Sequence, residues 1–371
     1  MDLQSLILLF SVALVATVLG MPLNIRMALR YGIVDKPDSR KTHIRLTPRI
    51  GGLAFVLSAL VAIVLFIPID RILLGFLAGT LLTLMVGAAD DIWQISPRMK
   101  MAGQIVAATL FVLISGVSIR YFGDLFGIGN LDTGPFALLF TVFSIVAVMN
   151  AINLSDGLDG LAGGISLIAL AFLLYFALLA EHSEVAYMAI AFAGSIVGFL
   201  YFNVSPAKTF MGDAGSITLG FVLSALSVLL VFDGRAVPGS IQPITLALLI
   251  CLPIMDTVSV MIRRLVKGQK LSDPDNRHLH HVLLSLDFSK RSAVLIIYLM
   301  MIGFGVLAMA LQGSAEWLQL LSGALLTGLL LFGCFYLQKK NFSVGKSRRA
   351  SSDYSDADPE TEEGNPVQSL K

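Results

Sequence analysis

Long apolar runs follow one another along this chain, and that pattern leaves few architectures open. A helix crossing ~30 Å of hydrocarbon needs about 20 largely apolar residues. In lipid, a helix also satisfies its own backbone polar groups. Eleven stretches meet the length requirement, with ends placed to about three residues: 3–23, 50–68, 71–89, 101–118, 134–152, 161–180, 185–203, 214–232, 241–262, 293–312 and 316–338. The 371 residues are 56% hydrophobic and 14% charged, with mean hydropathy +0.83. A soluble domain of this size is far less apolar. The expected fold is an all-α polytopic membrane protein of about eleven transmembrane helices. Ten is the alternative, because the turns at Ile67–Arg71 and 313–315 are short.

The basic residues orient these spans. With the N-terminus outside, 23 of the 26 lysines and arginines fall on the inner side, leaving only Arg71, Arg120 and Arg235 outside. Inner loops of membrane proteins carry this excess. Met1-Asp-Leu-Gln lacks a basic leader and a small-x-small cleavage site, so the first run reads as a retained span. Cys251 and Cys334 lie in apolar runs and read as small buried hydrophobes. A transmembrane domain is expected over 1–340. Residues 341–371, acidic after a basic start, read as a disordered cytoplasmic tail anchored by its basic residues to anionic headgroups.

Against this background Asn150-Ala-Ile-Asn153-Leu-Ser-Asp156-Gly-Leu-Asp159-Gly160 stands out. It lies between the runs Phe136–Met149 and Ile165–Ala180. A carboxylate at the bilayer centre costs roughly 2.5–3.5 kcal/mol, so intramembrane acids point to function. The polar residues recur every third position, about 300° apart per step, so all four converge only if the helix breaks. Gly157, Gly160, Gly163 and Gly164 permit that break. The expectation is a helix end opening into a polar cavity, with oxygens suited to a hard cation and a phosphate. The alternative is a glycine-rich loop of solvated aspartates.

Further polar motifs fall on the same, cytoplasmic face. Asp90-Asp91 ends one span, and Lys100 and Gln104 share a face at the start of the next. They suit metal, proton or phosphate, or else a water-boundary Asp pair with a snorkelling lysine. Asp213, in Phe210-Met-Gly212-Asp213-Ala-Gly215-Ser216, begins a span and fits a ligand role, an N-cap, or both. Lys208 beside it fits phosphate or plain positive-inside bias. In Asp273-Pro-Asp275-Asn-Arg277-His278-Leu-His280-His281, imidazoles beside Arg277 fit an anionic phosphate better than zinc, since carboxylates dominate the other motifs. Asp256 sits inside the ninth span, with a supporting and a structural role both open. The basic loop Val34–His43 with Pro48-Arg49-Ile-Gly51-Gly52 fits an anionic lipid or nucleotide, or positive-inside bias alone.

Taken together, Val34–His43, Gly87–Gln104, Asn150–Gly164, Phe210–Ser216 and Met255–His281 resemble the polyprenyl-phosphate N-acetylhexosamine-1-phosphate transferase superfamily. They are most similar to its bacterial undecaprenyl-phosphate N-acetylglucosamine branch. His-Leu-His-His looks like that branch's His-Ile-His-His rather than the His-His-His of the peptidoglycan-precursor enzyme. The acidic tail lies outside the pattern.

The resemblance implies transfer of a sugar 1-phosphate, most simply GlcNAc-1-phosphate, from a UDP-sugar to undecaprenyl phosphate, releasing UMP. This would be the first membrane step of a cell-surface polysaccharide such as an O-antigen. It implies Mg2+, or Mn2+, held by Asp213 and Asn153. Asp90 or Asp91 would orient or deprotonate the lipid phosphate, and Lys100 would hold a phosphate. Asp156 and Asp159 would line the metal and nucleotide site. Asn150, Lys208, Arg277, His278, His280 and His281 would contact substrate. The implied place is the bacterial cytoplasmic (inner) membrane, with the active site facing the cytoplasm. No nucleic-acid partner is expected, and a homodimer is left open. The rival from another class, a secondary transporter, predicts mid-bilayer acids and an internal repeat.

Overall fold

The computed structural model describes residues 2–35, 46–232, 241–266, 268–269, 278–333 and 336. The tail 341–371 therefore lies outside the described residues, as do Arg277, His43 and Cys334. Helices dominate: α1 (Leu3–Tyr31), α2 (Gly51–Phe66), α3 (Arg71–Trp93), α4 (Pro97–Ser115), α5 (Ala137–Ser155), α6 (Leu161–Leu179), α7 (Ser183–Asn203), α8 (Gly212–Phe232), α9 (Pro243–Leu249), α10 (Cys251–Val266), α11 (Leu279–Ser285), α12 (Lys290–Leu311) and α13 (Glu316–Gly333). The sheet among the described residues is one two-stranded pair, β1 (Val34–Asp35) antiparallel to β2 (Thr47–Pro48).

Local chemistry marks the helix starts. The Asp70 carboxylate accepts from Leu73 N at 2.8 Å to cap α3. Ser96 caps α4 ahead of Pro97, whose missing N–H costs nothing in the first turn. Every stretch read as a crossing is helical among the described residues, and nine of these helices are long and apolar enough to span a bilayer.

Two stretches depart from a simple crossing. The second, α2, has 16 residues. The ninth is broken into α9 and α10, which meet at 72°. Pro253 explains the break. It has no N–H for the Leu249 carbonyl four residues earlier, so the first helix stops at Leu249 and the second starts afresh. Beyond the break α10 is amphipathic, with Asp256, Arg263 and Arg264 among its polar residues.

The bundle is organised around α8, which packs against α2, α3, α5 and α6. Phe221, Leu219, Leu223 and Leu226 on α8 are fully buried on all sides of the helix, the mark of a central strut rather than a lipid-facing span. Backbones meet closely where α3 crosses its start. A Cβ on Gly87 would lie 2.5 Å from Ala214 Cα and N and from Asp213 O. This contact brings the acidic end of α3 against the first turn of α8.

Candidate active site

The first turn of α8 is the anchor. Gly212 has φ +69°, a left-handed conformation that a side chain disfavours. A Cβ there would overlap Arg49 O and the Asp91 carboxylate. Asp91, at the end of α3, accepts from Asp213 N and Ala214 N, each at 2.9 Å. It is only 8% exposed. The carboxylate thus caps a neighbouring helix, satisfying two of its orphan donors and its dipole.

Asp213 is thereby fixed at the centre of a polar cluster. Its Oδ1 accepts from Asn153 Nδ2 at 3.0 Å, and the same amide nitrogen donates to Ser216 Oγ at 2.9 Å. Its Oδ2 meets the Lys100 ammonium. That ammonium also donates to Asn153 Oδ1 at 3.3 Å and to Asp90 Oδ2 at 3.5 Å. Four helices, α3, α4, α5 and α8, therefore send one group each to a single point. The oxygens of Asp90, Asn153 and Asp213 surround one cation, here an ammonium. Two carboxylates and an amide oxygen fit a hard divalent ion that keeps part of its water.

α5 ends at Ser155 and α6 begins at Leu161, so the helix breaks within the polar stretch as expected. Asp156 is exposed just beyond α5, within electrostatic reach of Asp213, Asp91, Arg49 and Asp159. The turn at Gly160 is held from three sides. Its N–H reaches Asn203 Oδ1 at 2.9 Å, its carbonyl accepts from Tyr298 at 2.6 Å, and Asp159 accepts from Ala207 N at 3.2 Å.

A second cluster abuts this turn. Asp256 on α10 accepts from Leu279 N at 2.8 Å, capping α11, and pairs with His278 Nδ1 at 3.0 Å. This arrangement favours the tautomer with the proton on Nδ1. The His278 and His280 rings lie parallel, 6.0 Å apart, and His281 follows at 4.2 Å from His280. His280 packs on Gly157. Burial, and then the neighbouring His281, push the His280 imidazole down to about 4, so it is neutral at pH 7.

Glycosyl transferase family 4 matches residues 73–231, which include the first cluster. A probable undecaprenyl-phosphate N-acetylglucosaminyl 1-phosphate transferase of Bacillus subtilis is 34% identical over 85% of this chain and 87% of its own length. An undecaprenyl-phosphate alpha-N-acetylglucosaminyl 1-phosphate transferase of Yersinia pestis is 32% identical over 86% and 88%. A decaprenyl-phosphate N-acetylglucosaminephosphotransferase of Mycolicibacterium smegmatis is 30% identical over 74% of each chain. The chain belongs to the polyprenyl-phosphate N-acetylhexosamine-1-phosphate transferase superfamily.

Within this member of the superfamily, the residues singled out from sequence divide. Asp90, Asp91, Lys100, Asn153 and Asp213 come together, with Asp156 exposed within electrostatic reach of Asp91 and Asp213. Asn150 does not join them: its amide donates to Gln104 Oε1 and Val146 O, both at 2.8 Å. α5 is unbroken up to Ser155, so Asn150 stays one turn from Asn153 along the same α4–α5 seam, where it meets Gln104 instead of the cluster. Asp159 ties down the 207 loop. Lys208 sits over the rings of Tyr201 and Phe202, at 5.5 and 5.9 Å. His278, His280 and His281 form the separate cluster on Asp256, and Arg277 lies outside the described residues. Ser216 and Asn203 lay within the motifs but were not assigned a role. Tyr298 carried no signal, being one polar group on an apolar helix.

The capping geometry separates the adjacent aspartates. Asp91→Ala removes both acceptors at a buried helix start and is expected to cost about 1–3 kcal/mol. Asp91→Asn keeps one oxygen and costs less. Thermal melting in detergent reads the difference, and equal melting of Asp91→Ala and wild type would contradict the capping role.

Proposed function

We propose that the protein transfers GlcNAc-1-phosphate from UDP-GlcNAc to undecaprenyl phosphate, giving undecaprenyl-diphospho-GlcNAc and UMP, in a bacterial inner membrane with the site facing the cytoplasm. The observation that carries this reading is the convergence of Asp90, Asn153 and Asp213 on one cation position at the ends of four helices. Such a site accepts phosphates from the water side while a prenyl tail stays in lipid. The named relatives supply the sugar and the carrier, and the basic inner loops supply the orientation.

Two anionic phosphates must approach each other, so positioning and charge neutralisation dominate the catalysis. Asp213 and Asn153, with Asp90, are the residues that would hold Mg2+. When bound, the ion supplies neutralisation of the diphosphate charge and polarisation of its oxygens. Lys100 holds a phosphate oxygen once released from Asp213. Both Asp91 oxygens are committed to the α8 start, which leaves Asp90 to orient the lipid phosphate and to take its proton if it arrives protonated. A lipid phosphate oxygen attacks the donor's β-phosphorus, and the bond to the bridging oxygen breaks. That electron pair departs with UMP. His278, held by Asp256, faces the donor's diphosphate or sugar.

The test is UMP release by purified protein in detergent with UDP-GlcNAc, undecaprenyl phosphate and Mg2+. Release should require the lipid and fall to background with EDTA, returning when Mg2+ or Mn2+ is restored. Release without lipid would refute the transfer. Silence with UDP-GlcNAc but turnover with another UDP-N-acetyl sugar would correct the donor. Chelator-resistant release would remove the metal from the reaction.

A further inference from the structure

Among the described residues, the carboxylates at the site outnumber the cations committed to them. Lys100 is the cation against Asp90 and Asp213. Arg49 is the cation against Asp91 and Asp156. Arg49 follows β2, and its N–H reaches Ile33 O at 3.3 Å. The segment around it is laced to the start of α8. Phe210 N donates to Pro48 O at 2.7 Å, Gly51 N to Phe210 O at 3.0 Å, and Gly52 N to Met211 O at 2.9 Å. The Arg49 carbonyl itself lies against Gly212, one residue before Asp213. The Arg49 backbone is therefore fixed relative to the cation position.

Its side chain is not fixed in the same way. The side chain is 35% exposed, and its guanidinium stands 3.8 Å from Asp35 Oδ1, beyond hydrogen-bonding distance. Two other described cations are engaged: Lys208 over its aromatic rings and Arg291 on the Ser205 carbonyl at 3.2 Å. A guanidinium with open donors, on an anchored backbone beside a carboxylate cluster, is suited to bidentate capture of a phosphate.

We propose that Arg49 is a substrate-binding residue that grips a phosphate across the site from Lys100. The proposal rests on the transferase reading above and adds a residue to it. The phosphate belongs either to the donor diphosphate or to the lipid phosphate, which share this chemistry. Arg49 draws it in opposite Lys100, so that the reacting phosphates are clamped between two cations.

The experiment measures UMP release by the full-length protein in nanodiscs for wild type, Arg49→Lys and Arg49→Gln. UDP-GlcNAc is varied at saturating undecaprenyl phosphate, and then the reverse. Arg49→Gln should raise one KM by roughly tenfold to a hundredfold, with kcat within about threefold and an unchanged melting temperature. Arg49→Lys should recover part of the loss, keeping the charge but not the fork. A rise in the UDP-GlcNAc KM assigns the donor diphosphate; a rise in the undecaprenyl phosphate KM assigns the acceptor. Unchanged KM for both substrates, or a fall in kcat alone, overturns the proposal. If the wild type is silent with UDP-GlcNAc, the proposed donor fails, and calorimetric binding of UDP and of undecaprenyl phosphate decides on Arg49. Weaker binding of either to Arg49→Gln then supports the role, and equal binding of both overturns it.

Discussion

Asp213→Asn is expected to lower UMP release by about a hundredfold to a thousandfold while leaving the protein folded. The substitution keeps the shape of the side chain, and its backbone N–H still reaches Asp91. What it removes is the charge on which Lys100 and Asn153 converge. With a neutral amide there, the cation position loses its strongest ligand, and Lys100 loses the partner that aims it. The loss should appear in kcat rather than in the KM for UDP-GlcNAc, since the charge matters most as the phosphates approach. Turnover within tenfold of wild type, in protein that melts normally, would remove Asp213 from the centre of the site. Asp213→Glu is the companion variant. It keeps the charge but moves it outward, and intermediate activity from it would separate charge from placement.

Gly87→Val should act on the fold instead. Its Cβ would meet main-chain atoms of residues 213 and 214 at 2.5 Å, well inside carbon van der Waals separation. Neither backbone can yield as a flexible side chain does, so α3 and α8 must part. Overpacking of this kind costs about 1–3 kcal/mol, and backbone against backbone lies at the upper end. Activity should fall together with stability, because Gly87 and Asp91 share one helix face. Moving that face away from α8 withdraws the cap from Asp213 N and Ala214 N. Gly87→Ala should show the same effect more weakly. A wild-type melting temperature for Gly87→Val would mean that the two helices do not meet as described.

These two positions show what could be read from the chain beforehand. Hydrophobic length alone located every helix except the short α11, because a bilayer imposes a minimum apolar run that loops do not reach. It could not show that α2 stops at 16 residues or that the ninth crossing bends at Pro253, since the apolar length of a run does not reveal where its helix stops or bends. The polar motifs stood out because intramembrane acids have few structural reasons to exist, and in the structure those around residues 90, 153 and 213 meet in one cluster. Their division of labour was hidden. Asp90 and Asp91 are adjacent letters, yet only packing against α8 makes one a cap and leaves the other facing the cluster. Asn150 and Asn153 look equivalent in a three-residue pattern. The unbroken helix sends one to Gln104 and the other to Asp213. Asp256 carried an open role until the structure set it on His278, 22 residues away in sequence.

The brevity of α2 has a mechanical consequence. At 1.5 Å per residue its 16 residues reach about 24 Å, some 6 Å less than a typical hydrocarbon core. Its first residues, Gly51 and Gly52, are bonded to Phe210 and Met211 at the floor of the site. A helix too short for its solvent draws the surrounding leaflet inward rather than stretching itself. Such a dimple would bring lipid headgroups down toward the level of Asp90 and Lys100. Membrane thickness thereby becomes a variable of the reaction: turnover should decline in bilayers of longer acyl chains, where deforming the leaflet costs more, with no change in the chemistry at the aspartates.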